Sequence, residues 1–259
     1  MRGAAPALRE RMLQSEARDG RFADLLVTPR VDAWIEEMLS DGSSPWPISA
    51  EVGRFLSHLV FRFKPRRILE FGAGSSSCVF ARALSLAGGG SLTSVEQMPQ
   101  WCSDRWDEVK RTGGVDAQLV VSRPQLTVGK TGLHYIYKSA APAIAARGPY
   151  DLVFIDAPQE YYGRDGSLHL AREHLEPGAL IVLDDAGRQA EQWTLCRWLR
   201  TYPDLQLVVF DPVIGGRGVA VLCFAGETRN RFDPWTLVTS AHHFWRGRLE
   251  RRRLRRRYG

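Results

Sequence analysis

Five acidic residues stand where apolar segments end: Glu70, Glu96, Asp156, Asp184 and Asp185. A carboxylate can accept two hydrogen bonds at once, ligate a hard cation, or take a proton from a reacting hydroxyl. Glu70 opens the run Glu70-Phe71-Gly72-Ala73-Gly74-Ser75-Ser76-Ser77-Cys78, in which two glycines spaced by one precede three serines and a helical stretch to Leu86. Glycine permits positive φ and close approach of backbone to a ligand. The serines can cap the new helix, whose free N–H groups favour an anionic group, so a nucleotide-like cofactor is the first candidate. A plain turn joining two elements competes with it, and one G-x-G does not separate the two.

The elements that must position these residues follow from periodicity. Ala7–Glu16 and Val31–Leu39 carry apolar residues at three- and four-residue spacing, which predicts helices. The turn formers Asp41 to Pro47 break that pattern, and Ser49 is placed to cap a helix running to Phe63. Strands are then expected at Ile68–Leu69, Ser91–Glu96, Ala117–Val121, Tyr150–Asp156 and Ala179–Leu183. Helices are expected between them, at Gln100–Arg111 and Ser167–His174, and after them at Ala190–Arg200. Residues 122–148 show no clear period but hold an aromatic cluster, His134-Tyr135-Ile136-Tyr137. Nearly continuous apolar strands alternating with helices predict a parallel α/β sheet covered on both faces. The last two strands, Leu205–Phe210 and Gly218–Phe224, are seven residues apart, too few for a helical crossover. They should form an antiparallel hairpin. The expected architecture is a Rossmann-like three-layer sandwich with a seven-stranded, mostly parallel sheet. Glu70, Glu96, Ser122, Asp156 and Asp184 fall at strand carboxyl ends, where open α/β sheets bind ligands.

Composition narrows the partners. The 259 residues carry a net charge of +6, but residues 246–259 alone hold eight arginines and one glutamate. The body is close to neutral and gives no electrostatic reason to expect nucleic acid. The arginine-rich tail suits a polyanion, an anionic membrane surface, or simply a solvated end, and the aromatic segment Phe232–Trp245 suits packing on the body or in a homodimer. Nothing approaches the roughly 18 apolar residues of a membrane span, and Met1–Gly20 shows no signal-peptide core, so a cytoplasmic protein is expected. Four cysteines without a C-x-x-C pair leave zinc and disulfides unsupported. Cys78, near a helix start, is the one candidate for a lowered thiol pKa, although packing against the sheet is the simpler expectation.

Across Trp46–Ala225 the chain resembles the class I S-adenosylmethionine-dependent methyltransferases. The resemblance rests on Glu70-Phe-Gly72-Ala-Gly74-Ser75, Val95-Glu96, Asp151 to Asp156, Leu175-Glu-Pro177-Gly178 and the closing hairpin, in that order. It is nearest to the small-molecule O-methyltransferases of the catechol and macrocin types, and Leu183-Asp184-Asp185-Ala186 is similar to a less defined bacterial group. The resemblance divides the chain into an N-terminal helical extension (1–45), a cofactor-binding domain (46–225) and an aromatic, arginine-rich extension (226–259). It implies that Gly72, Gly74 and Ser75 lie against the methionine part of S-adenosylmethionine. Glu70 would orient the loop and the cofactor's ammonium group, Glu96 would take the ribose hydroxyls, and Gln97, Met98 and Ser122 would flank the adenine. Asp156, Asp184 and Asp185 would hold one magnesium ion; alternatively, Asp156 touches the cofactor's amino group and the other two cap a helix or loop.

The departures bear on the reaction. Catechol-type enzymes place a lysine where this chain has Gln159, and macrocin-type enzymes an aspartate where it has Pro158. Asp156, Asp185, Glu160 and His169 are then the candidate catalytic groups, with His134 as a base from another segment. A small-molecule acceptor, a sugar, phenol or acidic metabolite, is expected to meet the loop Ala157–Gly166, the Leu133–Tyr137 cluster and the N-terminal helices. Two rivals differ in class. A nicotinamide oxidoreductase would want a third glycine at Ser77 and a Tyr-x-x-x-Lys that Tyr137-Lys138 does not supply. A non-catalytic binding module would explain the missing base but not the retained Glu96 and glycines.

Overall fold

The computed structural model describes residues 33–40, 47–129, 131–159, 161–226 and 230–258, together with 8, 10 and 22. The expected helix at Ala7–Glu16 lies almost wholly outside the described residues, and Glu160 lies outside them too. In chain order the elements begin with α1 (Ala33–Ser40), α2 (Ala50–Phe63), β1 (Arg67–Phe71), α3 (Ser75–Leu86), β2 (Gly90–Glu96), α4 (Ser103–Arg111) and β3 (Val115–Val121). They continue with β4 (Gln125–Gly129), β5 (Gly132–Ile136), α5 (Ala141–Arg147), β6 (Tyr150–Ile155), α6 (Asp165–Ala171) and β7 (Leu175–Asp184). The last are α7 (Gln189–Thr201), β8 (Leu205–Asp211), β9 (Val219–Phe224) and α8 (Pro234–Tyr258).

Seven strands form one sheet in the order β3-β2-β1-β6-β7-β9-β8. β9 runs antiparallel to both neighbours, as the short link before it requires. The parallel core is in register from Ile68↔Leu92 and Ile68↔Leu152 outward. This order reverses direction beside β1, and the ends of β1, β2 and β6 therefore share one crevice. The aperiodic region 122–148 contains elements that the sequence did not reveal, a separate hairpin β4–β5 and the short α5. Pro177-Gly178 also falls inside a strand rather than ahead of one. Pairing jumps from Tyr150↔Leu175 to Leu152↔Leu180, so a bulge absorbs the proline and glycine.

Alternation along the strands divides the core in two. Ile68, Leu92, Leu152, Phe154 and Val182 pack with α2, α3 and α4 on one face. Leu69, Phe71, Val153, Ile155 and Leu183 pack with the α5–α7 layer on the other. The same alternation turns Glu70 toward α3 and its serines. Ser49 caps α2 as expected, its Oγ accepting from Val52 N at 3.2 Å. α1 lies on α2, where a side chain at Gly53 would meet Ile35 at 2.9 Å.

The aromatic segment and the arginine-rich end belong to one 25-residue helix. It makes two close approaches, one to the β4–β5 hairpin and one to the loop after β6. A Cβ on Gly132 would lie 2.0 Å from Ser240 Oγ, and one on Gly247 would lie 2.1 Å from the Tyr161 carbonyl oxygen. No helix among the described residues is long and apolar enough to cross a membrane.

Candidate functional site

The glycine loop is held open by a buried carboxyl group. Glu70 is fully buried, and its oxygens accept from Ser76 Oγ at 2.6 Å, Ser77 Oγ at 2.5 Å and Ser94 Oγ at 2.5 Å. Burial pushes its carboxyl up to about 7 against the pull of the three hydroxyls. Glu70 therefore ties the loop to α3 and β2, and both of its oxygens are engaged within the protein. Gly72 has φ +100°, where an L side chain is strained, and a Cβ there would lie 3.1 Å from Ala157 Cβ. Gly74 differs: among the described residues, apart from its chain neighbours, nothing lies within 4 Å of the position a Cβ would take. Its backbone borders an open cradle, and its N–H is held by Ser77 Oγ at 3.0 Å. The Ser75 hydroxyl accepts from Ile48 N at 3.0 Å and so also ties the segment before α2 to the loop.

Glu96 ends β2 and is buried. One of its oxygens, Oε1, accepts from Gln97 N at 2.6 Å and Met98 N at 2.7 Å, while burial raises the carboxyl above its ordinary value. Beside it the buried Gln97 Oε1 has no hydrogen-bond partner among the described residues, and Met98 is half-buried. Ser122 closes this side, its N–H donating to Glu96 O at 2.9 Å and its hydroxyl paired with Ser139 Oγ at 2.7 Å. Tyr137, fully buried and stacked on Phe71, also carries a hydroxyl without a partner among the described residues, and Glu96, Arg164 and Asp156 are charges that act on it. An open cradle, an orphan amide oxygen, an orphan hydroxyl and a partly committed carboxylate fit a polar, nucleoside-bearing ligand. Unpartnered buried polar groups are otherwise costly.

The three aspartates converge at the ends of β6 and β7, with one oxygen of each within 4.8 Å of the others. Asp185 takes a positive φ of 58° just past β7, which turns it back toward Asp156. That spacing suits a hard cation, but a cation of the protein already stands there. Arg164 Nη2 donates to Asp156 Oδ1 and to Asp185 Oδ2, each at 2.7 Å, and Nη1 donates to Asp184 O at 2.7 Å. Glu191 of α7, wholly buried, lies 3.8 Å from Arg164 Nε, and Arg188 Nη1 is 3.0 Å from Asp185 Oδ2. As arranged, these residues do not admit a divalent ion, which would have to displace the guanidinium. Burial raises the Asp156 carboxyl to about 6 and the Asp184 carboxyl to about 8, the latter helped by its acidic neighbours.

Other candidates fall elsewhere. His169 is half-buried against His134, with ring centroids 4.2 Å apart, and its Nδ1 is hydrogen-bonded to Tyr202 Oη. His134 Nε2 is bonded to Thr131 O at 2.9 Å. Burial holds both rings below the usual histidine range, and their named contacts are with each other, Thr131 and Tyr202. Gln159 accepts from the Tyr161 hydroxyl. Cys78 is buried, and burial pushes its thiol far up rather than down; proximity to a helix start does not activate it. Sequence reasoning saw Arg164 only as a substrate-loop residue and did not single out Glu191, because the charge they share with the aspartates depends on how α6 and α7 dock. On the far side of the loop a cavity of about 170 Å³ lies between α7 and α8, lined by Tyr161, Trp193, Arg197, His243 and Arg246 among others.

Residues 69–186 match a family model described as a methyltransferase domain. Among curated proteins, the chain is 32% identical over 145 residues to a catechol O-methyltransferase of Mycobacterium tuberculosis, covering 54% of this chain and 57% of that one. It is 31% identical over 150 residues to a catechol O-methyltransferase of Niastella koreensis, covering 56% and 60%. The chain thus spans about three fifths of the length of these relatives. Among solved structures it superposes on an O-methyltransferase of Streptomyces achromogenes involved in tomaymycin synthesis, solved with SAM (TM-score 0.53, 20% identity, 83% and 99% covered). It also superposes on an O-methyltransferase of Bacillus cereus solved with SAH (TM-score 0.54, 19% identity, 82% and 99% covered). Strand order and these superpositions show that the chain shares the fold of these solved O-methyltransferases.

Proposed function

We propose that the protein transfers a methyl group from S-adenosylmethionine to a hydroxyl of a small molecule, with a phenol of the catechol kind as the first acceptor to test. The observation that carries this reading is the pairing of the open cradle at Gly74 with Glu96 and the orphan Gln97 Oε1 on the adjoining strand end. S-adenosylmethionine supplies a methyl group on a sulfonium, which an acceptor oxygen attacks as the carbon–sulfur bond breaks. The residues that would hold it are Gly72, Gly74 and Ser75 at the methionine part, Glu96 at the ribose hydroxyls, and Gln97, Met98 and Ser122 around the adenine. Glu70 acts through the loop it fixes.

The acceptor would lie over Asp156, between the loop that follows it and the β5 end. Asp156 is the half-exposed member of its cluster, and its carboxyl, near 6, is matched to accepting a proton from an acidic hydroxyl near neutral pH. The absence of a lysine at Gln159 favours acceptors that are already acidic, hence a phenol over a sugar. No step in this reading uses magnesium. The test is calorimetric titration of S-adenosylmethionine into the full chain and into Glu96→Ala, followed by assay with labelled cofactor against catechols. Micromolar binding lost in Glu96→Ala is expected; no binding to the intact chain would instead favour the non-catalytic module.

A further inference from the structure

We infer that Arg164 is the resident cation of the aspartate cluster, standing where a divalent ion would otherwise sit, so that the cluster is assembled without metal. Its guanidinium bridges Asp156 Oδ1 and Asp185 Oδ2 at 2.7 Å each and also takes the Asp184 carbonyl oxygen. The side chain is 4% exposed, so these bonds form away from bulk water. A guanidinium is planar, permanently charged and forked, and it joins two carboxylates in a fixed geometry that a loose surface arginine does not reach.

The backbone keeps it there. Gly163 turns at φ +78°, and the Arg164 carbonyl accepts from Ser167 N at 3.2 Å, starting α6. α6 packs its backbone closely on β5, because a Cβ on Gly166 would fall 2.0 Å from the Tyr135 carbonyl oxygen. Glu191 on the far side, at 3.8 Å from Nε, adds a fourth acid that a metal site at the three aspartates would not need. Two cations within the same few ångströms repel strongly in a buried setting. Arg164 and a bound dication therefore exclude one another, and the sequence and fold supply the arginine. Arg164 is in this view a positioning residue: it fixes Asp156 for the acceptor hydroxyl.

Only the consequence for turnover rests on the methyl-transfer reading; occupancy of the cluster does not, and the experiment separates them. Manganese binding to the full chain is followed by electron paramagnetic resonance for wild type, Arg164→Lys, Arg164→Ala and Arg164→Ala/Asp185→Asn. S-adenosylmethionine affinity is measured on the same preparations. Wild type and the lysine variant should show no stoichiometric manganese. Arg164→Ala should gain one site, at least about tenfold tighter, through loss of a like charge inside the cluster, and the double variant should lose it again. Stoichiometric manganese in wild type, or none gained by a folded Arg164→Ala, overturns the inference. Should Arg164→Ala not fold, wild type and Arg164→Lys decide: manganese bound to wild type overturns, and its absence from both supports. Failure of wild type to bind S-adenosylmethionine sinks the methyl-transfer reading and leaves the manganese result standing.

Discussion

Glu70 in β1 and Gly74 in the loop after it bear separately on stability and on the proposed cofactor binding. The Glu70 carboxyl has an ordinary value of 4.5 and is raised to about 7 in the fold by burial. Between those values the folded chain keeps a proton that the unfolded chain releases, so this residue's contribution to stability falls as pH rises through the window and levels off above it. The change amounts to about 3 kcal/mol. Glu70→Gln stays neutral throughout. The difference in urea-unfolding free energy, variant minus wild type, should therefore rise by about 3 kcal/mol from pH 4.5 to 8, and a flat difference would show an unshifted carboxyl. The two glycines should behave oppositely. Gly72→Ala places a side chain at φ +100° against Ala157 and should cost roughly 1–2 kcal/mol of stability. Gly74→Val meets no protein atom near its Cβ, so melting should change by no more than a few degrees while S-adenosylmethionine affinity drops at least about tenfold, a loss of roughly 1.4 kcal/mol.

At the scale of elements, α6 is the piece that the aspartate cluster depends on. It is clipped to α7 by a buried bidentate pair, Arg197 Nε to Asp165 Oδ1 at 2.5 Å and Nη2 to Oδ2 at 2.6 Å. Trp198 Nε1 adds a bond to the Asp165 carbonyl at 3.3 Å. Arg197 holds the Asp165 carboxyl far below the usual carboxylate range despite its burial. The stabilisation is thus fully present above the ordinary Asp value of 3.8 and is lost as pH falls toward the depressed one. Arg197→Met strands a buried charge and should destabilise the fold by about 3–5 kcal/mol in chemical unfolding, with partial recovery in Asp165→Asn/Arg197→Met. Because α6 begins at Arg164, the single variant should also loosen the aspartates, read as weaker acceptor binding near the melting transition.

Over the whole molecule, α8 is the element that joins β5, the loop after β6 and α7 to the C-terminus. Arg251 lies 4.8 Å from the Tyr135 ring and 4.7 Å from the Tyr162 ring, and donates to Tyr135 Oη at 2.5 Å. Trp235 stacks on Trp193 at 5.2 Å. One arginine of the basic run is thus committed to the protein's own tyrosines, whereas Arg252, Arg253 and Arg256 are exposed. Gly247 tests the docking cleanly. Alanine is a better helix former by about 1 kcal/mol, so propensity alone predicts a more stable Gly247→Ala. The collision with the Tyr161 carbonyl predicts the reverse: a lower melting temperature and faster proteolysis within residues 234–258. A more stable variant would show that α8 does not need this close approach.

What the sequence determined by itself were the local terms: alternating apolar runs, glycines and proline at the turns, a capping serine, and acids at strand ends. These gave the seven-stranded sheet, its reversed last strand and the placement of Glu70, Glu96 and Asp156 on one edge, because each depends on a few neighbouring residues. The β4–β5 hairpin was not legible, since its strands are partly exposed and lack a clear period. Tertiary structure alone decided which charges meet. Three aspartates at the ends of β6 and β7 left a metal site and a cofactor contact both open in the sequence; α6, packed through Gly166 and Asp165–Arg197, brings Arg164 between them. The distance from Arg164 to Asp185 is 21 residues in the chain and 2.7 Å in space, and electrostatics acts on the second.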